Sequence, residues 1–206
     1  MFKYIFFVLI ASLALYADIL YKQKDLEERN DIYYIKNINK TLTGTVCNTI
    51  KTVSSKSQYI DGLKSGVEIF YTKEKTLWET SFFNNKKHGE EIFYYENGKL
   101  KSNCMYVNDV RYGLCKYYYS TGELYETVSY VNGKPNGLTN RYYISGELEG
   151  EIYFLNGKPN GKAKKYYKDK KLKSMIIFSA GLFVDGYVYG DDGSKREITK
   201  DEYYSK

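Results

Sequence analysis

Few residues of this 206-residue chain have a type and spacing that suit chemistry. His88 is the sole histidine and sits in the turn Asn85-Lys86-Lys87-His88-Gly89, with no nucleophile placed near it by any motif. Glu90 and Glu91 are neighbours, and neighbours on a strand point to opposite faces, so they make no acid–base pair. Asp191-Asp192 lies in a glycine-flanked turn, which suits a weak cation or simply a turn. Three cysteines, Cys47, Cys104 and Cys115, are too few for a disulfide framework, and no Cys-x-x-Cys or Cys/His cluster suggests metal. Cys104 and Cys115 flank one turn, but strand phasing sets them on opposite faces, so small half-buried thiols are expected. No phosphate loop or metalloprotease helix occurs. The expectation is a protein that is not an enzyme and has no cofactor and no metal.

What remains is recognition chemistry. Tyrosine is abundant, and four of these residues, Tyr95, Tyr119, Tyr143 and Tyr167, recur as the second member of a Tyr-Tyr pair. Each offers a large flat contact with a polar tip, the kind of side chain enriched at binding hot spots. The competing reading is structural, because Tyr favours strands and a one-layer sheet needs aromatics on both faces. The net charge is +6, and the densest basic cluster runs from Lys162 to Lys173. It reads as a solvated strand face rather than a patch for anionic lipid or nucleic acid.

The elements that must position these residues follow from internal repetition. Gly113 to Gly161 is two units of the same 24 residues laid end to end, each closing on Asn-Gly-Lys-Pro-Asn. A fixed period of this length signals an array of stacked units that pack on their neighbours. Unit starts fall at Gly44, Gly66, Gly89, Gly113, Gly137, Gly161 and Gly186, with intervals of 22, 23, 24, 24, 24 and 25. Within a unit the first strand ends in the tyrosine pair. Three loop residues follow, such as Ser120-Thr121-Gly122, and glycine at the third suits a type I turn closed by a left-handed residue.

The second strand alternates with period two, the signature of a half-buried strand. Leu77, Leu100, Leu124, Leu148 and Leu172 begin it, followed four residues on by Ser81, Cys104, Val128, Ile152 and Ile176. Six residues on come Phe83, Tyr106, Tyr130, Phe154 and Phe178. This phasing puts the first tyrosine of each pair on the same side as that stripe. The second tyrosine falls on the other side, beside Trp78, Lys101, Tyr125, Glu149 and Lys173. The predicted fold is all-β, an elongated antiparallel single-sheet solenoid or meander of ~24-residue β-hairpin repeats, with roughly 12 strands.

The divisions are 1–17 signal peptide, 18–43 lead-in or N-terminal cap, 44–190 repeat array and 191–206 polar C-terminal tail. Lys3 supplies a positive start, Ile5 to Leu15 an apolar run, and Ala17 a small residue before the cut. That run is shorter than the ~20 residues of a membrane span, so the mature chain is expected to be exported to the periplasm, envelope or exterior, with an uncleaved N-terminal anchor as the alternative.

The recurring Gly-x4-Tyr-Tyr-x-Asn-Gly-x-Leu-x5-Tyr-x-x-Gly resembles the short bacterial variant of the MORN repeat. Gly89 to Gly113 carries it with Tyr94, Tyr95, Asn97, Gly98, Leu100 and Tyr106. The lead-in residues Leu26, Arg29, Asn30, Tyr33, Tyr34, Thr43 and Gly44 are similar to the segment preceding such arrays in YwqK-family antitoxins. The resemblance implies binding or scaffolding, brings no catalytic residue, and in its antitoxin form implies neutralising a partner toxin. Three functions are weighed. The first is an exported interaction module for another protein, an envelope protein or a toxin, with no nucleic acid and at most weak membrane contact. The second is an immunity or antitoxin protein. The third is an envelope glycan binder using aromatics, for which Trp78 is the one tryptophan.

Overall fold

The computed structural model describes residues 20–205, so the leader assigned to 1–17 lies outside the described residues. Among them the chain is a 17-stranded sheet with a separate three-stranded sheet near its start. From Gly44–Ile50 onward each strand pairs with the next in sequence, antiparallel throughout, to the edge strand Lys195–Glu197. Two features account for four of the strands and leave thirteen, against the roughly twelve expected. Leu20–Lys22 and Lys195–Glu197 join at the ends, and two strands are split at Ser65 and Asn160. Leu20–Lys22 also gives the one parallel pairing, against Gly44–Ile50. A whole small sheet intervenes between those two strands, so no tight turn forces them antiparallel.

Two kinds of turn alternate along the sheet. At one rim stand the three-residue loops, with Gly98, Gly122 and Gly146 at φ of 80°, 105° and 95°. Their N–H groups donate to the carbonyls of Tyr95, Tyr119 and Tyr143 at 2.8–2.9 Å. In the next loop Lys170 takes the same left-handed place at φ 69°. At the other rim are two-residue turns with both φ positive, as in Asn132-Gly133 and Asn156-Gly157, the conformation that matches strand twist in hairpins.

Two bulges per unit correct the sequence phasing. Tyr117 pairs with Glu126 but Tyr118 with Leu124, which leaves Tyr125 unpaired, and Lys101, Glu149 and Lys173 are unpaired in the same way. One extra residue reverses the alternation. The expected single stripe is therefore split. Tyr166 donates to Glu151 at 2.9 Å and Tyr94 to Glu79 at 3.0 Å, on the face away from Ile152 and Thr80. The first tyrosines thus lie opposite the Cys104, Val128 and Ile152 row, not with it. The second tyrosines lie on that row's side: Tyr119 packs on Tyr125 at 5.0 Å, and Arg141 over Tyr125 is bonded to Glu126 at 2.9 Å.

The same error misplaced the cysteines. Cys104 and Cys115 face each other across adjacent strands, 4.3 Å apart at Cα, and form a disulfide. That separation is the one antiparallel strands give to residues in a non-hydrogen-bonded pair. Cys115 is also in register with Val128, and both cysteines are buried. Cys47 is free.

A further correction concerns the unit starting at Gly66. Its loop is shorter, closing Thr72 N–H on Lys75 O at 2.8 Å, so each later position falls one residue early. Thr80 is buried and Trp78 stacks toward Phe93, whereas Phe83 is 58% exposed. Trp78, Thr80 and Phe82, rather than Leu77, Ser81 and Phe83, belong to the buried row's face.

The buried row is shallow and runs across the sheet through Thr80, Glu91, Cys104, Cys115, Val128 and Thr139. A denser cluster closes the N-terminal end, where Leu26, Leu42, Val46 and Tyr59 pack with Tyr33 and Ile35 of the small sheet. The tail is less polar than its sequence suggested. Thr199 caps a short helix, Lys200–Tyr204, by accepting from Glu202 N–H at 3.2 Å, and Tyr203 stacks on Phe183 at 5.0 Å. No helix of the described residues is long and apolar enough to cross a membrane.

Candidate functional site

The tyrosine row stands at the rim of the three-residue loops, half-buried. Its hydroxyls are already engaged. Tyr95 donates to the carbonyl of Tyr118 at 2.6 Å, Tyr119 to Tyr142 at 2.7 Å, Tyr143 to Tyr166 at 2.7 Å and Tyr167 to Tyr189 at 3.1 Å. Each bond reaches one unit forward, so the row is a ladder tying unit to unit. Around it gather the residues expected beside it. Lys101 lies over Tyr95 at 5.7 Å and Lys173 over Tyr167 at 5.2 Å, while desolvation and Glu149 raise the pKa values of Tyr119 and Tyr143. A side chain whose polar tip serves the backbone offers a partner only its edge.

The other titratable candidates are also structural. Glu91 is buried and ion-paired to Lys87, while Glu90 lies near Asn103 at 3.5 Å on the opposite face. Asp192 accepts from Ser194 N–H at 2.9 Å, and the Ser194 bonds hold its carboxyl below the usual range, which marks a turn. His88 is exposed, with its ring 6.1 Å from Phe83. Within the basic cluster Lys164 is bonded to Glu151 and Lys171 to Asp169.

The sequence reading missed the opposite rim. There the second N–H of each two-residue turn donates to the preceding unit: Asp109 to Lys87 at 2.9 Å, Gly133 to Arg111 at 3.0 Å and Gly157 to Pro135 at 2.8 Å. Bulges around Gly89, Gly113 and Gly137 bend the hairpin tips so that successive turns meet. Just before five successive turns stands an exposed apolar residue: Ile60 at 56%, Phe83 at 58%, Val107 at 42%, Val131 at 42% and Leu155 at 47%. Val131 follows Tyr130, so this band lies on the face away from the buried row. Directly across the turn, exposed lysines partner it in register, Lys86 with Phe83, Lys134 with Val131 and Lys158 with Leu155. The available signal was an apolar residue before each Asp or Asn turn at the repeat period.

The fold and both rims define a β-hairpin repeat protein. A family model described as a MORN repeat variant matches residues 87–108, 111–132 and 159–180, and the three segments begin at equivalent positions of the unit. No curated protein matches. Among solved structures, the GtfA/B complex bound to UDP and GlcNAc is similar at 12% identity over 62% of this chain and 25% of that one, with TM-score 0.26. Accessory secretory protein 1,2 and 3 in Streptococcus pneumoniae is similar at 12% identity over 69% and 20%, with TM-score 0.21. The chain thus spans a quarter or less of the length of these solved chains, and likenesses this slight carry no argument.

Proposed function

We propose that this protein is an exported, non-catalytic binding module whose asparagine-turn rim docks a protein partner. The observation that carries the reading is the band of exposed apolar residues repeated at five successive turns, since contiguous exposed apolar surface marks interaction sites. Lysines set across three of the turns add cations beside the apolar band. The matching partner is a protein surface that combines apolar and acidic side chains, and such charge complementarity speeds encounter. A toxin with that surface would make the module an antitoxin. Export is supported by the leader-like N-terminus and by the cross-strand disulfide, since such bonds persist in oxidising compartments. A binding rather than a chemical role is supported by the lone histidine, which is exposed near a hairpin tip with its ring beside Phe83.

Photocrosslinking groups placed at Val107, Val131 and Leu155 in the native cell test the reading. They are expected to capture one protein, while the same group at Lys116, away from the tips, does not. Val107→Asp with Val131→Asp and Leu155→Asp should abolish capture through a reporter at Lys134, with Tm unchanged. Capture that survives the triple substitution overturns the reading. Mass spectrometry of the envelope protein should show Asp18 first; an intact Met1 would overturn cleavage after Ala17.

A further inference from the structure

A single level of the sheet can be followed by register across its first five antiparallel strands, through Asn48, Ser55, Phe70, Trp78 and Phe93. Three successive positions are aromatic. Phe70 and Trp78 stack at 4.1 Å with rings 17° from parallel, and Phe93 continues the row at 6.3 Å and 28° from Trp78. Rings stacked across neighbouring strands stand edge-up on the sheet, so the outer face of the row belongs to Phe70. Next to that face comes Ser55, a small hydroxyl side chain, and then Asn48. The drop from ring to serine makes one wall and the floor of a cavity. The N-terminal cap supplies the far wall through Gln23 and Tyr33, leaving a half-open cleft of about 450 Å³. That volume falls within the range of small-molecule sites.

The lining is of more than one kind. One wall is flat and aromatic. The remainder mixes the aliphatic side chains of Val46, Ile50 and Val53 with the hydroxyl and amide groups of Ser55, Asn48 and Gln23, plus one carboxylate, Glu68. Glu68 accepts from Ser57 and Lys64 at 2.7 Å, both through Oε1, so its charge is balanced and Oε2 is left as an acceptor. A net-neutral site with a ring face on one side, and hydroxyl, amide and carboxylate groups set among aliphatic ones on the other, suits a ligand that has apolar faces and hydroxyls around its edge. A pyranose ring has that character. Its axial C–H groups form an apolar face that lies flat on an aromatic ring, and its equatorial hydroxyls donate to carboxylate and amide oxygens.

The geometry points to this cavity as a carbohydrate-binding site for a neutral glycan, with one sugar ring seated over Ser55 against the face of Phe70 and backed by Trp78. It stands on the opposite face of the sheet from the apolar rim, and neither site depends on the other. A charged anion is disfavoured because Lys64 is already held by Glu68. An apolar ligand would leave the Asn48, Ser55 and Gln23 groups without partners.

Trp78 is the chain's one tryptophan, so its fluorescence reports on this cavity alone. Cellotetraose, chitotetraose and maltotetraose are titrated into the purified protein while emission and heat of binding are followed. At least one is expected to give a saturable change in both. Ser55→Leu, which fills the floor and keeps all three rings, should weaken that binding at least tenfold with Tm unchanged. Trp78→Leu, followed by calorimetry, should also weaken it. The triple aspartate variant of the rim should bind the same sugar unaltered, so failure at the rim and failure here are told apart. Absence of saturable heat with all three sugars, or binding unchanged in Ser55→Leu, overturns the assignment.

Discussion

The two rims of the sheet are made by the same 24-residue unit and are put to different uses. At the loop rim the large side chain is turned inward, and each tyrosine hydroxyl bonds the next unit's backbone. At the turn rim the backbone does that work through turn N–H groups, and the side chains are left exposed. The lesson is that a repeated aromatic marks a working surface only when its polar tip is free. Here the modest Val, Leu and Ile residues before the turns are the better candidates.

The comparison breaks most severely with Tyr119→Ser combined with Tyr143→Ser. Each change deletes a half-buried ring and a bond between units, so a loss of about 4–6 kcal/mol together is expected from large-to-small and hydrogen-bond costs. Denaturant unfolding that finds less than about 1 kcal/mol would return the row to the candidate surfaces. Reducing the Cys104–Cys115 disulfide should cost about 2–3 kcal/mol, as expected for a short closed loop, and is read as a fall in Tm under reductant. Tyr119→Phe isolates the ladder bond itself, with an expected loss of about 1 kcal/mol. At the other rim, Val131→Ser should change stability by about 0.5 kcal/mol or less, as for exposed positions, while lowering partner capture.

Alkali sharpens the same contrast. Burial and its bond to Tyr130 push Tyr117 up to about 12, and desolvation raises Tyr94, Tyr119, Tyr143 and Tyr166. Tyrosines with raised folded values contribute stability that is fully present below their unfolded value of about 10. It is lost as pH climbs through the folded values. Circular dichroism alongside tyrosinate absorbance should therefore show cooperative loss of strand between pH 10 and about 12. Retention of the sheet at full ionisation would show that the hydroxyl ladder is dispensable.

Much of the fold was legible in the sequence, and the reason is its period. Glycine at the third loop position and Asn-Gly at the turns each call for positive φ, and both occur where expected. Facing was not legible. A bulge such as that at Tyr125 leaves no mark in an alternating pattern, because Leu124 and Val128 look equally apolar on either side of it. That one residue hid the disulfide and moved the first tyrosines to the other face. The shortened Thr72–Lys75 loop hid Trp78 in the same way, and with it the aromatic wall of the proposed sugar site. The ladder on the tyrosines was invisible for a different reason: a hydroxyl's partner 23 residues away depends on how the units stack.

The disulfide has a mechanical consequence. A hairpin meander pulled from its two ends yields by unzipping strand from strand, and each freed residue adds roughly 3.5 Å of slack. Cys104 and Cys115 are 11 residues apart, and their bond spans the hairpin at the middle of the array. The segment between them cannot pay out under load, which shortens the fully extended chain by about 35 Å. For a protein pulled from its ends, this makes the hairpin at the centre of the array the one segment that keeps its length until the bond is reduced.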